Sequence, residues 1–575
     1  MTSIISKIKK GNKYYYAVDS ARVDGKPRIV KQVYLGTIES IMAAKQNTTS
    51  SVISPDYAEI FDFGAVAALF ELSERLEIRN IINAEVGKKL QGLPVGDSIV
   101  LAAINRAVGP VSKNLFYKDW FSKTVLPNSF PQATTKSLSS QGYWNNMSLL
   151  DSDIIRSIED KITTKITKLY NISPSTVLFD NTNFITYIDT DTPSRLAKGS
   201  KSKEHRSDLR IVGLSLMVSP DNNIPLFHEP YPGNTNDAKR FSKIIENLKY
   251  RCQSIQDNLD ITLVFDRGNN SSSNIEKLVQ SDPLSVHFVG GLKHNQCPEL
   301  LKTPKNKYKP LVGKSFGETK AFRTTKVEFG RKVTVVVTDN PELYKLQIRE
   351  VTNNIEKCSQ ELVELSNKLK EREDGKIFRG RRYTEDSVIS KIKSILTPEY
   401  MKNIFDYKVE KIGGNITLSF NINGGEFNYL KINILGKSII FTDRDDWSNE
   451  KIVSAYRSQY HVEECFKQMK DTENLSFVPM RHFTDKHITV HAFYSVLALT
   501  LASVLNLEFK RMGHEVSIHQ MLKELSSVQQ VINYYNIDDK TKFIKTTTFT
   551  KSDNIFDNVI EKYFQKYNLY KYAYK

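Results

Sequence analysis

The spacing of apolar residues changes along the chain, and each change predicts a different kind of structure. Between residues 13 and 36, two runs rich in apolar residues flank Asp24-Gly25-Lys26-Pro27, a composition typical of a hairpin turn. From residue 63 to about 168, apolar residues recur at helical spacing. From Val177 onward, short apolar strands alternate with helices. The pattern predicts a hairpin, a helical region and an α/β region, in that order.

The α/β region opens with a short strand that ends at Asp180. Three consecutive strands, a helix, a strand, a helix and a strand predict a mixed sheet. The strands are expected at residues 177–180, 211–218, 224–227, 261–266 and 286–289, and the helices at 237–251 and 274–280.

Residues 295–445 interrupt this α/β region. A strand is predicted at 333–337, and a long polar amphipathic helix at 345–372. Residues 415–422 and 429–435 alternate around Asn423-Gly424-Gly425, which predicts a second hairpin. Asp446 and Ser448 are the candidate caps of the helix that follows.

We predict six segments from these patterns. They are a basic hairpin at 1–45, a helical region at 56–170, the first part of the core at 171–294, an insertion at 295–445, the second part of the core at 446–510 and a tail at 511–575. The first two segments are candidate DNA-binding regions, and the tail is a candidate oligomerisation region.

The charge of the chain favours a polyanionic partner. Its 575 residues include 81 Lys and Arg against 65 Asp and Glu, a net charge of +16. A basic excess of this kind is typical of proteins that bind nucleic acid. The alternative is a soluble basic protein with no such partner, because apolar and charged fractions of 40% and 25% are ordinary.

The cysteines and apolar segments indicate a cytoplasmic protein without a membrane partner. Cys252, Cys297, Cys358 and Cys465 form no CxxC pair, so we expect reduced, buried thiols. No apolar stretch of a signal peptide follows Met1. Residues 488–505 are apolar but contain polar interruptions, and we expect a buried core helix there.

The most informative segment lies near the C-terminal end. Tyr456, Glu463 and Lys470 are seven residues apart, close to two helical turns, so on one helix their side chains share a face. Gln459 and Lys467 fall on the same stripe. An acid between cations and a phenol suits a carboxylate that binds metal beside a phosphate backbone.

Two further acids end predicted strands. Asp180 and Asp266 would lie at the carboxyl ends of their strands, where α/β sheets usually bind ligands. Together with Glu463 they would repel one another unless divalent cations were bound. Carboxylate oxygens suit Mg²⁺, and two ions about 4 Å apart can serve phosphoryl transfer.

Each acid also has an ordinary interpretation. A single Asp at a strand end is commonly a cap or turn residue. Glu464 is a rival of Glu463, but only Glu463 shares the predicted face of Tyr456 and Lys470. The order strand, strand, helix favours a common site.

These motifs resemble those of the DDE transposases of bacterial insertion sequences, in the IS-four-like group. The signature around the glutamate of that family is Tyr-x2-Arg-x3-Glu-x6-Lys, which Tyr456, Glu463 and Lys470 match. The resemblance extends over about residues 175–505. It also includes the segments Val177-Leu-Phe-Asp180, Gly233-Asn-Thr-Asn-Asp237, Val264-Phe-Asp266-Arg-Gly and Pro479-Met-Arg-His482.

The resemblance implies a ribonuclease-H-like core interrupted by a mostly β insertion. It also implies metal-dependent cleavage at transposon ends, followed by attack of the freed 3′-hydroxyl on target DNA. Asp180, Asp266 and Glu463 would hold two Mg²⁺ ions, with Mn²⁺ as a substitute, and Tyr456 and Lys470 would contact the terminal nucleotides. The partners would be inverted-repeat ends and target DNA, bound by a homodimer in the nucleoid of a prokaryotic cytoplasm.

The chain departs from the signature at one position. Gln459 stands where the family has arginine, which puts one phosphate contact in doubt, and Arg457 is about 200° away around the helix. Further candidate DNA contacts are Gln459 itself, Lys467 and Arg267. A basic loop is another candidate, although a solvated loop without DNA contact is the alternative. Its residues are Lys198, Lys201, Lys203, His205 and Arg206.

Four other residues have two interpretations each. His487 and His491 are spaced to bind a metal together, but packing or DNA contact is favoured for them and for His482. Trp447 could stack on an unpaired base, although core packing is the commoner role.

Two alternative functions remain open from the sequence. The first is a catalytically silent DNA-binding protein derived from a transposase, and the second is a general ribonuclease-H-like metal nuclease. Cleavage of end-containing DNA separates the first from a transposase, and strand transfer from a pre-cut 3′ end separates the second.

Overall fold

The computed structural model describes residues 2–9, 12–23, 26–47, 55–87, 91–173, 175–199, 206, 208–235, 237–255, 260–280, 286–374, 383–412, 415–536, 543–551 and 557–574. The chain forms two compact units, and each is described by itself. The first consists of Met1–Phe61, Gln530–Thr550 and Lys575, and the second of Asp62–Gln529 and Lys551–Tyr574. The predicted tail at 511–575 is therefore divided between both units.

The strands are β1 (Thr2–Lys9), β2 (Asn12–Val23), β3 (Lys26–Gly36), β4 (Tyr57–Asp62), β5 (Thr176–Thr186), β6 (Lys198–Gly199), β7 (Arg210–Val218), β8 (Pro225–Pro232), β9 (Ile261–Phe265), β10 (Val286–Leu292), β11 (Lys309–Pro310), β12 (Lys320–Glu328), β13 (Arg331–Asp339), β14 (Phe405–Ile412), β15 (Asn415–Ile422), β16 (Lys437–Thr442), β17 (Gln529–Asn536) and β18 (Phe543–Phe549).

The helices are α1 (Ile38–Asn47), α2 (Gly64–Arg75), α3 (Ile78–Val86), α4 (Val95–Val108), α5 (Ser140–Met147), α6 (Ser152–Tyr170), α7 (Asp237–Ile255), α8 (Ser272–Val279), α9 (Pro298–Leu301), α10 (Pro341–Glu373), α11 (Glu385–Ile395), α12 (Met401–Ile404), α13 (Gly424–Tyr429), α14 (Asn449–Arg457), α15 (Tyr460–Lys470), α16 (Asp485–Arg511), α17 (Ile518–Ser526) and α18 (Asp557–Tyr567).

The first unit contains two small antiparallel sheets. One has the order β1-β2-β3, and the other has the order β18-β17-β4. The predicted hairpin is present as β2 and β3, whose pairing runs up to Val23 and Lys26. Its turn residues Asp24 and Gly25 lie outside the described residues. Strand β1 was not predicted, because its alternation of Ile and Lys is short and strongly basic.

The second unit is built around one large mixed sheet. The order of its strands is β11-β12-β13-β16-β10-β9-β5-β7-β6, and β8 pairs with β7. Strands β5, β9 and β10 run parallel, whereas β7 is antiparallel to both β5 and β8. The chain is therefore a mixed α/β protein, as predicted, and each predicted core strand and helix is present.

Residues 295–445 differ from the expected mostly β insertion. They include the 33-residue helix α10, and their strands β12, β13 and β16 extend the main sheet beyond β10. Pairing between β16 and β10 joins the insertion directly to the core. The insertion is mixed because it contains helices such as α10 as well as strands. The strands join the main sheet by long-range pairing, which the local sequence does not encode.

The second predicted hairpin is also wrong. Strand β15 pairs with the preceding strand β14, and residues 429–434, predicted as the second arm, are helical. The Asn423 side chain accepts a hydrogen bond from the Glu426 backbone N–H and caps α13. Asn-Gly-Gly has the composition of a turn, but here the asparagine begins a helix.

The main hydrophobic core packs α7, α8 and the insertion helices α10 and α11 against the sheet. Phe179 of β5 and Phe241 of α7 are both fully buried in it, with ring centres 5.1 Å apart. Cys297, Cys358 and Cys465 are buried and free, as predicted. The side chain of Cys252 lies outside the described residues.

Helix α16 contains the apolar stretch at 488–505. Its length and composition would allow it to cross a membrane, but 94% of its most apolar window is buried within the protein. This is the packing of a core helix, which agrees with the prediction.

A buried carboxylate on α16 joins this helix to three others. Glu508 accepts hydrogen bonds from both terminal nitrogens of Arg75, at 2.7 and 2.8 Å, and from the hydroxyls of Tyr170 and Tyr563, each at 2.7 Å. These residues belong to α2, α6, α16 and α18. Two of the tail tyrosines, Tyr563 and Tyr567, therefore hold α18 to the second unit.

Candidate active site

Asp180 and Asp266 occupy adjacent positions on the neighbouring parallel strands β5 and β9, which pair in register up to Phe179 and Phe265. Asp266 directly follows β9, but Asp180 lies within β5, which continues to Thr186, so the prediction that its strand ends at Asp180 is wrong. Pairing of the later residues of β5 with β7 extends the strand beyond the apolar run. Neighbouring strands are about 4.8 Å apart, so the two carboxylates occupy adjacent positions. Asp180 is half-buried and Asp266 is exposed.

Helix α15 lies on the face of the sheet to which Asp180 points. Phe179 packs on α7, and successive side chains of a strand point to opposite faces, so Asp180 and Phe184 share the other face. On that face, the Lys470 ammonium is 5.8 Å from the centre of the Phe184 ring. Lys470 and Asp180 therefore approach the sheet from the same side.

Glu463 stands in the first turn of α15, where the positive end of the helix dipole favours a carboxylate. Its rival Glu464 lies 3.8 Å from the Lys467 ammonium, which is 80% exposed. Glu464 and Lys467 thus form a surface ion pair. Glu463 is seven residues before Lys470 and lies on the same face of α15.

The signature segment is not one continuous helix. Helix α14 ends at Arg457 and α15 begins at Tyr460, with Gln459 between them. Tyr456 and Glu463 are therefore on different helices, which corrects the predicted single face. The Ser448 side chain caps α14, as one of the two predicted alternatives.

The Tyr456 phenol nevertheless approaches both sides of the site. Burial, followed by the negative charges of Asp266 and Glu463, raises the pKa of Tyr456, and hydrogen bonding by the Arg267 guanidinium opposes this rise. Tyr456 therefore lies within electrostatic range of one acid from the sheet and one from α15. Arg267 follows Asp266 directly, and its Cγ atom and the Tyr456 hydroxyl both lie close to Gly291.

The close approach of Tyr456 depends on a glycine that sequence reasoning missed. A Cβ atom on Gly291, in β10, would lie 2.2 Å from the Tyr456 hydroxyl and 3.0 Å from Cγ of Arg267. The Asn270 side chain fixes this stretch of backbone by donating to the Gly291 carbonyl at 2.6 Å. A glycine pair at the end of a predicted strand was the only available signal.

The donor set suits magnesium in type, since all three side chains supply carboxylate oxygens. Two of the three are neighbours, and the third lies near the same phenol. Across the residues that the structure describes, however, no three acidic, histidine or cysteine side chains are grouped closely enough to hold a metal ion. Binding would therefore require the side chains to converge around the ion.

The remaining candidate DNA contacts are distributed unevenly. Lys198 is half-buried in β6, beside β7, and the exposed Arg206 forms an ion pair with Asp208 that lowers the pKa of Asp208 to about 2. Lys201, Lys203 and His205 lie outside the described residues. Arg457 donates to the Thr319 hydroxyl at 2.8 Å, which agrees with its exclusion as a replacement for the missing arginine.

The histidine and tryptophan candidates are structural. The ring nitrogens of His491 lie 2.7 Å from the Phe477 carbonyl oxygen and 2.6 Å from the Tyr494 hydroxyl, so neither is available for a metal. Trp447 is 6% exposed, with the Lys451 ammonium 4.1 Å from its ring centre. Core packing, the preferred interpretation, is confirmed for Trp447, and the burial of His491 agrees with packing, one of the two roles favoured for it.

Comparison with known proteins gave structural neighbours only. No protein-family model and no curated protein matches the chain. One solved structure that resembles it is the piggyBac transposase synaptic complex with hairpin DNA. The two chains share 10% identity with a TM-score of 0.34, over 80% of this chain and 78% of that one.

A second neighbour is the Mos1 transposase paired-end complex with left transposon end. It shares 14% identity with a TM-score of 0.15, over 35% of this chain and 60% of that one. Both neighbours are transposases. At these TM-scores neither likeness establishes a fold or a function, and the geometry of the chain itself carries the proposal below.

Proposed function

We propose that this chain is a DDE-type DNA transposase, which cuts transposon ends and joins their 3′-hydroxyls to target DNA. The observation that carries the proposal is the adjacency of Asp180, within β5, and Asp266, directly after the parallel strand β9. The approach of Tyr456 to both Asp266 and Glu463 adds support, because it brings the acid of α15 toward the same edge.

The topology supports a ribonuclease-H-like core. Strands β5, β7 and β8 form an antiparallel meander, and β9 and β10 join β5 on its other side in parallel. Helices α7 and α8 connect the parallel strands. The first proposed acid lies within the first strand of this order, and the second directly follows the fourth.

The proposed cofactor is a pair of Mg²⁺ ions held by Asp180, Asp266 and Glu463, with Mn²⁺ as a substitute. When bound, such ions activate an attacking hydroxyl and stabilise the leaving oxygen. The cations also neutralise carboxylates that would otherwise repel one another.

The other side chains bind and orient the DNA. Lys470 offers a phosphate contact beside Asp180, and Tyr456, held by Arg267, contacts the terminal nucleotides. Gln459, Lys467, Lys198, Lys201, Lys203 and Arg206 are proposed to bind the DNA further out. The proposed partners are inverted-repeat ends and target DNA, bound by a homodimer in the cytoplasm of a prokaryote.

The test is cleavage of DNA that carries the ends of the element, with Mg²⁺ or Mn²⁺, followed by strand transfer from a pre-cut 3′ end. Asp180→Asn, Asp266→Asn and Glu463→Gln should each reduce cleavage at least about 1000-fold, because each removes a metal ligand worth several kcal/mol in the transition state.

Glu464→Gln is the matched control, since the neighbouring acid forms only a surface ion pair. DNA binding should survive in all four variants. Substantial cutting by any of the first three would remove that residue from the site, and cleavage without strand transfer would favour a general nuclease.

A second candidate is a catalytically silent DNA-binding protein. It is favoured by the lack of a grouped set of three metal ligands within the described ranges, and by Gln459 in the arginine position. If the wild type binds end DNA but does not cut it in the presence of either Mg²⁺ or Mn²⁺, this candidate replaces the transposase.

A further inference from the structure

Two exposed aromatic side chains and an arginine lie where the end of β5 meets the segment before α16. Tyr187 is 48% exposed and Phe483 is 52% exposed. The Arg481 guanidinium is 5.8 Å from the centre of the Tyr187 ring, within range of a cation–π contact. We call Tyr187, Arg481 and Phe483 the aromatic platform.

The backbone beneath the platform is held in place. The Tyr187 N–H donates to the Met480 carbonyl at 3.0 Å, next to a parallel bridge between Thr186 and Met480. The side chains of Met480 and His482 are buried, whereas Arg481 and Phe483 are exposed. Alternate residues of an extended chain point the same way, so Arg481 and Phe483 project outward together, about 7 Å apart.

The surroundings of the platform carry charges of both signs. Arg206, which is paired with Asp208, lies within electrostatic range of Tyr187, and Lys486 is exposed in the first turn of α16. The exposed Asp189 and Asp191 follow Tyr187 in sequence. Large exposed aromatic groups beside Arg481 favour a partner with flat rings and phosphates over a purely apolar partner.

The platform lies along the strand that carries Asp180. Tyr187 is seven positions after Asp180, which corresponds to about 23 Å of extended chain. Because seven is an odd number, the alternation that places Asp180 and Phe184 on one face directs Tyr187 to the other. A DNA strand engaged at the carboxylates must therefore pass around the end of β5 to reach the platform.

We propose that the aromatic platform binds unpaired nucleotides of a DNA strand that extends from the active site. This inference rests on the proposed function and specifies the form of its DNA partner, which is single-stranded next to the cleavage position. Bases in a duplex are already stacked on each other, whereas unpaired bases can stack on Tyr187 and Phe483, with phosphates beside Arg481.

The experiment compares two DNA ligands by fluorescence anisotropy at fixed salt: a blunt duplex and the same duplex with a single-stranded extension. Wild-type protein should bind the extended form more tightly. Tyr187→Ala and Phe483→Ala should each weaken binding of the extended form by roughly 5- to 100-fold, the usual effect of one lost base stack, and leave blunt-duplex binding nearly unchanged.

Tyr250→Ala is the matched control. Tyr250 is a tyrosine of the same unit that is 70% exposed on α7, away from the platform. The Tyr250→Ala variant should bind both DNA forms like the wild type. Circular dichroism should show all three variants folded, because each side chain is exposed.

Two conservative variants separate stacking from simple apolar contact. Tyr187→Phe keeps the ring and should retain binding, and Tyr187→Leu keeps apolar area and should lose it. With 2-aminopurine in the extension, quenching should accompany binding to wild type and to Tyr187→Phe only. Equal binding by Leu and Phe variants would identify an apolar or protein contact and overturn the proposal.

The platform and the proposed function fail in different ways. If Tyr187→Ala and Phe483→Ala bind both DNA forms like the wild type while Asp180→Asn abolishes cleavage, only the platform is overturned. If the wild type binds neither DNA form, the proposed function falls and the platform with it.

Discussion

At the residue scale, the Tyr456 phenol connects the sheet side of the candidate active site with the helix side. Burial and the negative charges of Asp266 and Glu463 raise its pKa, and Arg267 opposes this rise. Its position requires that residue 291 has no side chain. The acids and the phenol therefore depend on a close approach between α14 and β10.

Gly291→Ala tests this dependence. The added methyl would stand 2.2 Å from the Tyr456 hydroxyl, so the ring must move. We expect DNA cleavage to fall about 100-fold, the usual cost of displacing an active-site group by about 1 Å. Thermal stability should change much less than activity.

Gly268→Ala is the control for this substitution, because no atom lies within 4 Å of its added Cβ. It should cleave like the wild type although it is only two residues from Asp266. Full activity in Gly291→Ala would show that Tyr456 can be displaced without consequence, contrary to its assigned role.

The sequence indicated Asp180 and Asp266 as candidates but not Gly291, on which the position of Tyr456 depends. The two acids became candidates because a carboxylate after a short apolar run is a local pattern. Gly291 was not found, because its role arises from a tyrosine 165 positions further along the chain. Contacts of this kind are tertiary and leave no periodic signal.

At the element scale, Glu508 holds α2, α6 and α18 to α16. Burial alone would raise its pKa, but hydrogen bonds from Arg75, Tyr563 and Tyr170 outweigh burial and lower the pKa below the ordinary 4.5. The carboxylate is therefore stabilised in its charged form by the fold.

Glu508→Gln should lower the free energy of unfolding by about 3–5 kcal/mol at pH 7, because it leaves the Arg75 charge without its partner. Glu561→Gln is the control, since exposed Glu561 in α18 accepts hydrogen bonds from the uncharged side chains of Gln565 and Tyr570. Differential scanning fluorimetry should show a lower Tm for the first variant and little change for the second.

The same variant predicts a pH dependence. A carboxyl group whose pKa is lowered by folding contributes stability above its unfolded value, and that contribution is lost as pH falls through the folded value. The Tm difference between wild type and Glu508→Gln should therefore be full at pH 7 and shrink below about pH 4.5. A difference that is constant down to pH 3 would contradict the assigned charge state.

Local patterns predicted most elements, and long-range contacts account for the misses. The break between α14 and α15 contains no Gly or Pro, and it lies beside Arg457, which is bound to Thr319 of the insertion. The predicted strand at 333–337 is present as β13, but its place in the main sheet was not predicted, because sheet membership depends on partners far away in sequence. Asn423 was misassigned because its composition suits both a turn and a helix cap.

At the scale of the whole molecule, the net charge of +16 predicts that DNA affinity depends strongly on salt concentration. A protein that contacts 6–10 phosphates releases their counterions and loses about 10³- to 10⁵-fold in affinity between 50 and 200 mM salt. We expect a loss in this range for end-containing DNA, measured by fluorescence anisotropy. A flat salt response would exclude extensive phosphate contact.

The order of strands in the main sheet brings together residues that are 86 positions apart in sequence, Asp180 and Asp266. Glu463 follows a further 197 positions later, after an insertion that extends the same sheet. The proposed chemistry requires these three carboxylates to act as one metal-binding group in the presence of DNA.

The most direct test is a titration of the protein–DNA complex with Mn²⁺, in which electron paramagnetic resonance counts the bound ions. We predict two tightly bound ions per chain in the wild type and in Glu464→Gln, and the loss of at least one ion in each of Asp180→Asn, Asp266→Asn and Glu463→Gln. If these three variants bind as many ions as the wild type, with the same affinity, the three carboxylates do not form a shared metal site.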